Sequence, residues 1–537
     1  MLKSIRVVSL CLLALALALS ALPLVPTPPA AARQDGVRLR LPGGGYWGHP
    51  SPFGFSRGPG YMRASLIFDT LVWRDASGQT IPWLATDWTR SDDGLTWTFT
   101  LREGVTWHDG QPLTVDDVVF SFQTYLDHPE LVWFMAQADV IDSVAAVGDH
   151  QVAIVLKQPY APFLQTTAEA LFIFPRHIWE NVADPKAYAE PEAFVGSGAY
   201  RLVEYSQAEG TYLFEANPDF FLGAPYVARI EFVPTSDNIL ALINGDIAAF
   251  DQFGSITEDM LAPFQSDPFA VKTAPGEWGM FLYFNLEADT PLQDARVRQA
   301  IAHAIDRDAL LERVLFGFGE VGSPGFLPPA NPFHNPDLPD YARDIDRAKA
   351  LLAEAGYDGT PIKLAYSTDW IMASPRVVEI IQDGLSAAGI PIEQVVMDQA
   401  TIDTAGSQGD YEMMLVGYGG LGGDPDLLRR TFATASQMSG FARARGYSNP
   451  DFDALAVSQI DLSDPAERRV ALDQMQAILA EDLPVLPLYT TARVVVFNTD
   501  VFDNWTFTPG GWGGGIPMPY NKHQFITGME TGLDIRG

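Results

Sequence analysis

Residues 66–125 constrain the fold of this chain more than any other stretch, because two unlike periodicities follow one another there. Leu95, Trp97, Phe99 and Leu101 alternate with Thr96, Thr98, Thr100 and Arg102. A period of two turns one face to a core and the other to water, which predicts a half-buried strand. Asp92-Asp93-Gly94 precedes it as a turn, since Asp tolerates the turn geometry and Gly reaches positive φ. Asp109-Gly110 makes a second turn. From Thr114 the period changes. Val115, Val118, Val119 and Phe122 recur at helical spacing, and Thr114 with Asp117 three residues on has the form of a capping box.

The same signals organise the second half of the chain. Residues 281–285 read as a strand, and Asp294 caps a helix carrying Val297, Ala300, Ile301 and Ala304. Asp344 caps another, with Ile345, Ala348, Leu351, Leu352 and Ala355 on one face and Gly356 as its left-handed stop. Residues 362–366 and 392–397 read as strands around a helix that starts near Pro375 and buries Val377, Val378, Ile381 and Leu385. That β-α-β order is the unit of an α/β lobe. Residues 411–416 are a short run, apolar apart from Glu412, as in a buried central strand, followed by a glycine-rich segment over 417–426. Residues 485–489 and 494–497 supply late strands.

Composition bounds what such a chain can do. Of its 537 residues 47% are hydrophobic and 12% aromatic, enough for large cores. A formal net charge of −33 argues against nucleic acid and anionic membrane surfaces as partners. The single cysteine, Cys11, lies in an apolar leader. Lys3 and Arg6 form a positive n-region, residues 7–19 an apolar h-region, and Ala30-Ala31-Ala32 a small-residue cleavage site before Arg33. The expectation is a signal peptide over 1–32 and an exported product without thiols, at the periplasmic or extracellular face of the cytoplasmic membrane. An uncleaved anchor is the competing reading, since the apolar run is nearly long enough to span a bilayer.

The run from Leu84-Ala85-Thr86-Asp87-Trp88 through Ser91-Asp92-Asp93-Gly94-Leu95-Thr96-Trp97 to Phe120-Ser121-Phe122 closely resembles the signature region of family 5 of the bacterial extracellular solute-binding proteins. Trp107 and Val115 are small departures from that pattern, and residues 294–321 and 344–357 resemble the family again. The resemblance implies an α/β, two-lobed fold of the periplasmic-binding-protein type. It implies lobe one over 33–275, with an extra subdomain over 58–190, lobe two over 276–487, a return to lobe one over 488–537, and two hinge crossings. It also implies a monomeric binding component that hands its solute to the membrane permease subunits of an ABC importer. No His-Glu-x-x-His site is present, and the family resemblance spread over most of the chain implies a binding protein, so no enzyme is expected, a secreted hydrolase being the alternative of another class. Gly196-Ser197-Gly198 lacks the Lys-Ser/Thr ending of a phosphate loop, and the eight histidines are dispersed, so neither a cofactor nor a metal is expected.

For the ligand, the resemblance points to Gly417, Tyr418, Gly419, Leu421 and Asp424, within the segment whose backbone pairs with an extended peptide in peptide-binding members. There an Asp holds the peptide's ammonium; here that position carries Leu421, and Asp424 is the nearest carboxylate able to take over. Leu cannot accept a hydrogen bond, and leaving an ammonium unpaired costs at least a few kcal/mol, on the order of 10²-fold in affinity. Peptide uptake is therefore the leading expectation and oligosaccharide uptake the alternative, with little penalty expected from blocking a peptide's amino terminus. Tyr46 and Trp47 in the loop after the first strand, and Trp278, Trp370 and Trp512 beside turns, are the candidate aromatic contacts.

Overall fold

The computed structural model describes residues 36–43, 45–133, 135–368, 375–435, 443–462 and 464–527. The leader over 1–32 and Trp370 lie outside the described residues. The signature stretch supplies β1 (Ala85–Arg90), β2 (Thr96–Leu101) and α1 (Val115–Asp127), followed by β3 (Ile141–Ala146) and β4 (Gln151–Leu156). The four strands form one antiparallel sheet in the order β1-β2-β4-β3. Along β2, Trp97, Phe99 and Leu101 are buried while the threonines between them are half-exposed, as the alternation requires. The capping box forms: the Thr114 amide donates to Asp117 Oδ2 at 2.8 Å.

The core of this first lobe is pinned by one carboxylate. Asp69 accepts from Trp83 Nε1 (2.7 Å), from Ser197 Oγ (2.7 Å) and from Lys522 Nζ (2.6 Å), with Asp69 and Lys522 both fully buried. Lys522 also sits over the Trp73 ring at 4.2 Å, so residues 66–83 and the end of the chain are tied together. Gly196 and Gly198 lie so close to the Ile67 backbone that a Cβ at either would be 2.0 to 2.5 Å from it. That contact explains the glycines here without any phosphate. A four-stranded sheet joins Val37–Pro42 to Val227–Val233, Thr211–Ala216 and Tyr200–Ser206 in this lobe.

The chain leaves a three-stranded sheet through β5 (Phe269–Ala274) and enters a six-stranded one as β6 (Trp278–Phe284). There follow α2 (Ala295–Ala304), α3 (Ile345–Ala355), β7 (Ile362–Ser367), α4 (Pro375–Ala388), β8 (Ile392–Met397), β9 (Met413–Gly419) and β10 (Val485–Thr491). β11 (Arg493–Asn498) returns to the three-stranded sheet, lying between β5 and Ala249–Phe253. The two connections, 275–277 and Ala492, therefore run side by side. The six-stranded order is Gly319–Val321, β10, β6, β9, β7, β8, with β7–β8 and β7–β9 parallel and β6 antiparallel to both its neighbours. Met280, Leu282 and Phe284 of β6 face one hydrophobic cluster, and Phe281 and Tyr283 face the other. Both faces are covered, which is why the strand reads as a continuous apolar run. Asp294 and Asp344 cap α2 and α3, and Gly356 ends α3 at φ 71°. Among the described residues no helix is long and apolar enough to cross a membrane.

Candidate functional site

A cavity of about 800 Å³ opens where the two lobes and the two connections meet. The first lobe contributes Arg74, Gln165, Phe507 and Gly510, the first connection contributes Glu277, and the second lobe contributes Trp278, Phe333 and Asp424. The lobes touch around it. Tyr160 Oη donates to Asp426 Oδ2 at 3.0 Å, the Ala161 amide to the Ile460 carbonyl at 2.7 Å, and the Gly510 amide to Glu277 Oε1 at 3.2 Å. A space closed off from two sides, lined by aromatic rings and a few charged groups, is the usual form of a small-solute site.

Trp278 forms one wall by a local necessity. It stands opposite Gly419 in the β6–β9 ladder, and its indole lies across both Gly417 and Gly419. A Cβ at Gly417 would sit 1.9 Å from the ring, and one at Gly419 2.2 Å from it, so the glycines make the bed for the indole. Phe253 approaches the same ring at 6.0 Å between centroids. Among the described residues the β9 ladder with β7 ends at Leu415, and residues 416–419 pair with β6.

The charged groups are mostly committed to one another. Arg468 holds Asp424 with two bonds, Nη1 to Oδ2 at 2.8 Å and Nη2 to Oδ1 at 2.6 Å. Arg74 Nε donates to the buried Glu169 at 3.3 Å, where burial pushes the Glu169 carboxyl above its ordinary range against the pull of Arg74. Arg493 pairs with Asp251 on a neighbouring strand. Glu277 differs from these. Beyond the Gly510 amide on Oε1 it has no partner, and its Oε2 is buried with no hydrogen-bond donor among the described residues. Burial pushes its pKa up to about 7, against the opposing effect of the Gly510 amide, Arg74 and Arg493.

The candidate residues divide by position. Trp278 and Asp424 line the cavity, and Gly417 and Gly419 lie directly under Trp278. Tyr418 and Leu421 turn into the core of the second lobe, Leu421 fully buried. The backbone of Leu421 donates to the Glu277 carbonyl at 3.1 Å and accepts from Asn331 Nδ2 at 2.7 Å. Trp512 is fully buried in the first lobe beside Trp73 and Tyr61. Tyr46 stacks parallel to Tyr212, and the Trp47 amide donates to Tyr212 Oη at 3.0 Å. Sequence reasoning missed Glu277, Arg74 and Phe507. Glu277 carried a signal: a lone charge between Pro275-Gly276 and a wholly apolar strand. Arg74 carried none, because its partner Glu169 is 95 residues away.

Residues 79–440 match the family model for bacterial extracellular solute-binding proteins, family 5. The chain is 30% identical over 454 residues to a probable di/tripeptide-binding protein of Pseudomonas aeruginosa, covering 79% of this chain and 84% of that one. It is 29% identical over 479 residues to a heme-binding protein of Haemophilus influenzae, covering 82% and 85%. Among solved structures, the ABC transporter substrate-binding protein CtaP of Listeria monocytogenes superposes with a TM-score of 0.75 at 26% identity, over 90% of this chain and 99% of that one.

Proposed function

The chain belongs to family 5 of the bacterial extracellular solute-binding proteins, and from that premise we propose that it captures a short, extended, peptide-like solute between its lobes and delivers it to the membrane permease of an ABC importer. The observation that carries this reading is the cavity shared by both lobes and walled by Trp278, which lies on the strand Met413–Gly419, where among the described residues 416–419 are paired only to the strand that carries Trp278. An extended chain laid beside such a strand gains main-chain hydrogen bonds whatever its side chains, which suits a binder of many peptides. The relatives named for di- and tripeptides agree with it. The protein acts as an exported monomer, and residues 275–277 and Ala492 serve as the two hinge strands. Closure follows because a solute touching both walls favours the closed state over the open one.

Calorimetry with a panel of di- to pentapeptides, with cello- and xylo-oligosaccharides as the comparison, tests it. Expected are saturable peptide binding, a smaller radius of gyration by X-ray scattering when peptide is bound, and recovery of the peptide uncut. Binding confined to the oligosaccharides would transfer the site to neutral sugars. An unchanged scattering profile at saturation would remove the hinge.

A further inference from the structure

The cations lining the cavity have partners inside the protein. Arg74 is held by Glu169, Arg468 by Asp424 and Arg493 by Asp251, while Lys272 donates to the Trp505 carbonyl and is exposed to water. The carboxylates are not matched in the same way. Both oxygens of Asp424 rest on Arg468, whereas Glu277 has one backbone amide on Oε1 and an orphaned Oε2. A carboxylate withdrawn from water is strongly unfavourable unless a positive group meets it. Among the described residues no cation pairs with Glu277, because the nearby Arg74 and Arg493 are engaged elsewhere.

We propose that Glu277 is the charge-selecting residue of the cavity, and that the solute it selects presents a cationic nitrogen, an ammonium or a guanidinium, to it. This rests on the solute-binding reading above. The surroundings are built for that side chain: Gly422 lies against it, and a Cβ there would be 2.3 Å from Glu277 Cδ. Its amide partner Gly510 comes from the first lobe while Glu277 stands at the connection into the second, so closure of the lobes brings the two together. Rotation about the terminal side-chain bond is a soft torsion, and it lets the carboxylate exchange the amide for a cation in the cavity.

A pH signature follows. In the closed protein burial holds Glu277 at about 7; opened to water it titrates in the ordinary carboxylate range, ~4.3. Capture of a neutral solute therefore takes up a proton at Glu277. Affinity for it falls as pH rises between those two values and is level above. A cationic solute takes the proton's place, and its affinity holds until its own nitrogen deprotonates.

The experiment is calorimetry on the full chain and on Glu277→Gln with trialanine and N-acetyltrialanine, at pH 6 and pH 7.5, in buffers of different ionisation enthalpy. Against the small penalty for blocking the amino terminus that Leu421 alone suggests, the wild type is expected to bind trialanine on the order of 10- to 100-fold more tightly than the acetylated form at pH 7.5. Glu277→Gln loses that preference by weakening trialanine alone, with thermal unfolding unchanged. At pH 6 the wild type takes up a proton with the acetylated peptide and none with trialanine, and the variant takes up none with either. Equal weakening of both peptides by the variant, or no weakening, overturns the proposal. A wild type that prefers the acetylated form overturns charge selection and leaves the binding-protein reading standing. Capture of neither form at millimolar concentration, alongside no binding across the wider peptide panel, removes both.

Discussion

Asp69 is fully buried and Glu277 is half-buried with one carboxylate oxygen out of water, and the two differ in how completely they are met. Asp69 has a tryptophan N–H, a serine hydroxyl and a lysine ammonium on its two oxygens. Glu277 has one amide. A fully satisfied buried carboxylate has nothing left to offer a ligand, and its strength goes into holding elements in place. A half-satisfied one is a poor fastener and a good receptor. The conspicuous signature of this family lies beside the first kind of group, and the cation subsite we propose lies at the second. The division explains why a close sequence match identifies the scaffold so much better than the solute.

The largest expected effect breaks the satisfied member. Asp69→Asn leaves Lys522 buried without a counter-charge, in surroundings that already lower the lysine pKa through burial. Removing one partner of a buried pair costs about 3–5 kcal/mol. Urea denaturation is expected to show a loss of that order, with peptide affinity at 25 °C little changed. A variant equally stable but weak in binding would show that Asp69 serves the site rather than the fold.

Next in size is a change that converts one kind of carboxylate into the other. Arg468→Met strips Asp424 of its two charge-assisted bonds while keeping much of the side-chain volume. Both side chains are at least nine-tenths buried, so a destabilisation of about 2–4 kcal/mol is expected. The cavity then contains a second carboxylate without a cation. Affinity for trilysine should rise relative to trialanine, measured by competition. If it does not, the cation subsite is narrower than the charge pattern implies.

How much of this was legible in the sequence follows the range of the interactions. The β2 alternation, the Thr114 box, the Asp294 and Asp344 caps and the β7-α4-β8 unit rest on neighbours within a few residues, and each is where the spacing puts it. The sequence pattern ends the central strand at Val416 and follows it with a glycine-rich segment. In the structure β9 continues through Gly417-Tyr418-Gly419, held by the β6 ladder and by Trp278 lying on the glycines. Tertiary packing overrode local propensity there. The cavity was the least legible part. Its pairs join residues 44, 95 and 242 positions apart, and no periodicity reports such distances.

A smaller effect tests that packing. Gly417→Ala drives a methyl into the Trp278 ring, which must move because the backbone on the other side is paired to Met280. Overpacking of this kind costs about 1–3 kcal/mol. Most of it should appear as weaker binding, since the indole swings into the space the solute uses. Indole fluorescence that is insensitive to peptide in the wild type would remove Trp278 from the wall of the site.

The smallest effect lies between the lobes, where the satisfied and unsatisfied patterns meet. Tyr160→Phe deletes the hydroxyl that reaches Asp426 across the gap. Asp426 is fully buried, and although burial alone would raise its pKa, the Arg429 bonds hold it below the ordinary value. It also keeps Gln459 as a donor at 2.8 Å. Because three donor contacts remain, Asp426 stays ionised and the fold loses little, about 0.5–1.5 kcal/mol at most. The closed state loses a contact that the open state never had, so the cost falls on closure and appears as an affinity weakened by roughly 3- to 10-fold. That loss should be the same for trialanine and for its acetylated form, unlike the loss at Glu277. A charge-dependent loss in Tyr160→Phe would mean that the interlobe bond and the cation subsite act as one unit.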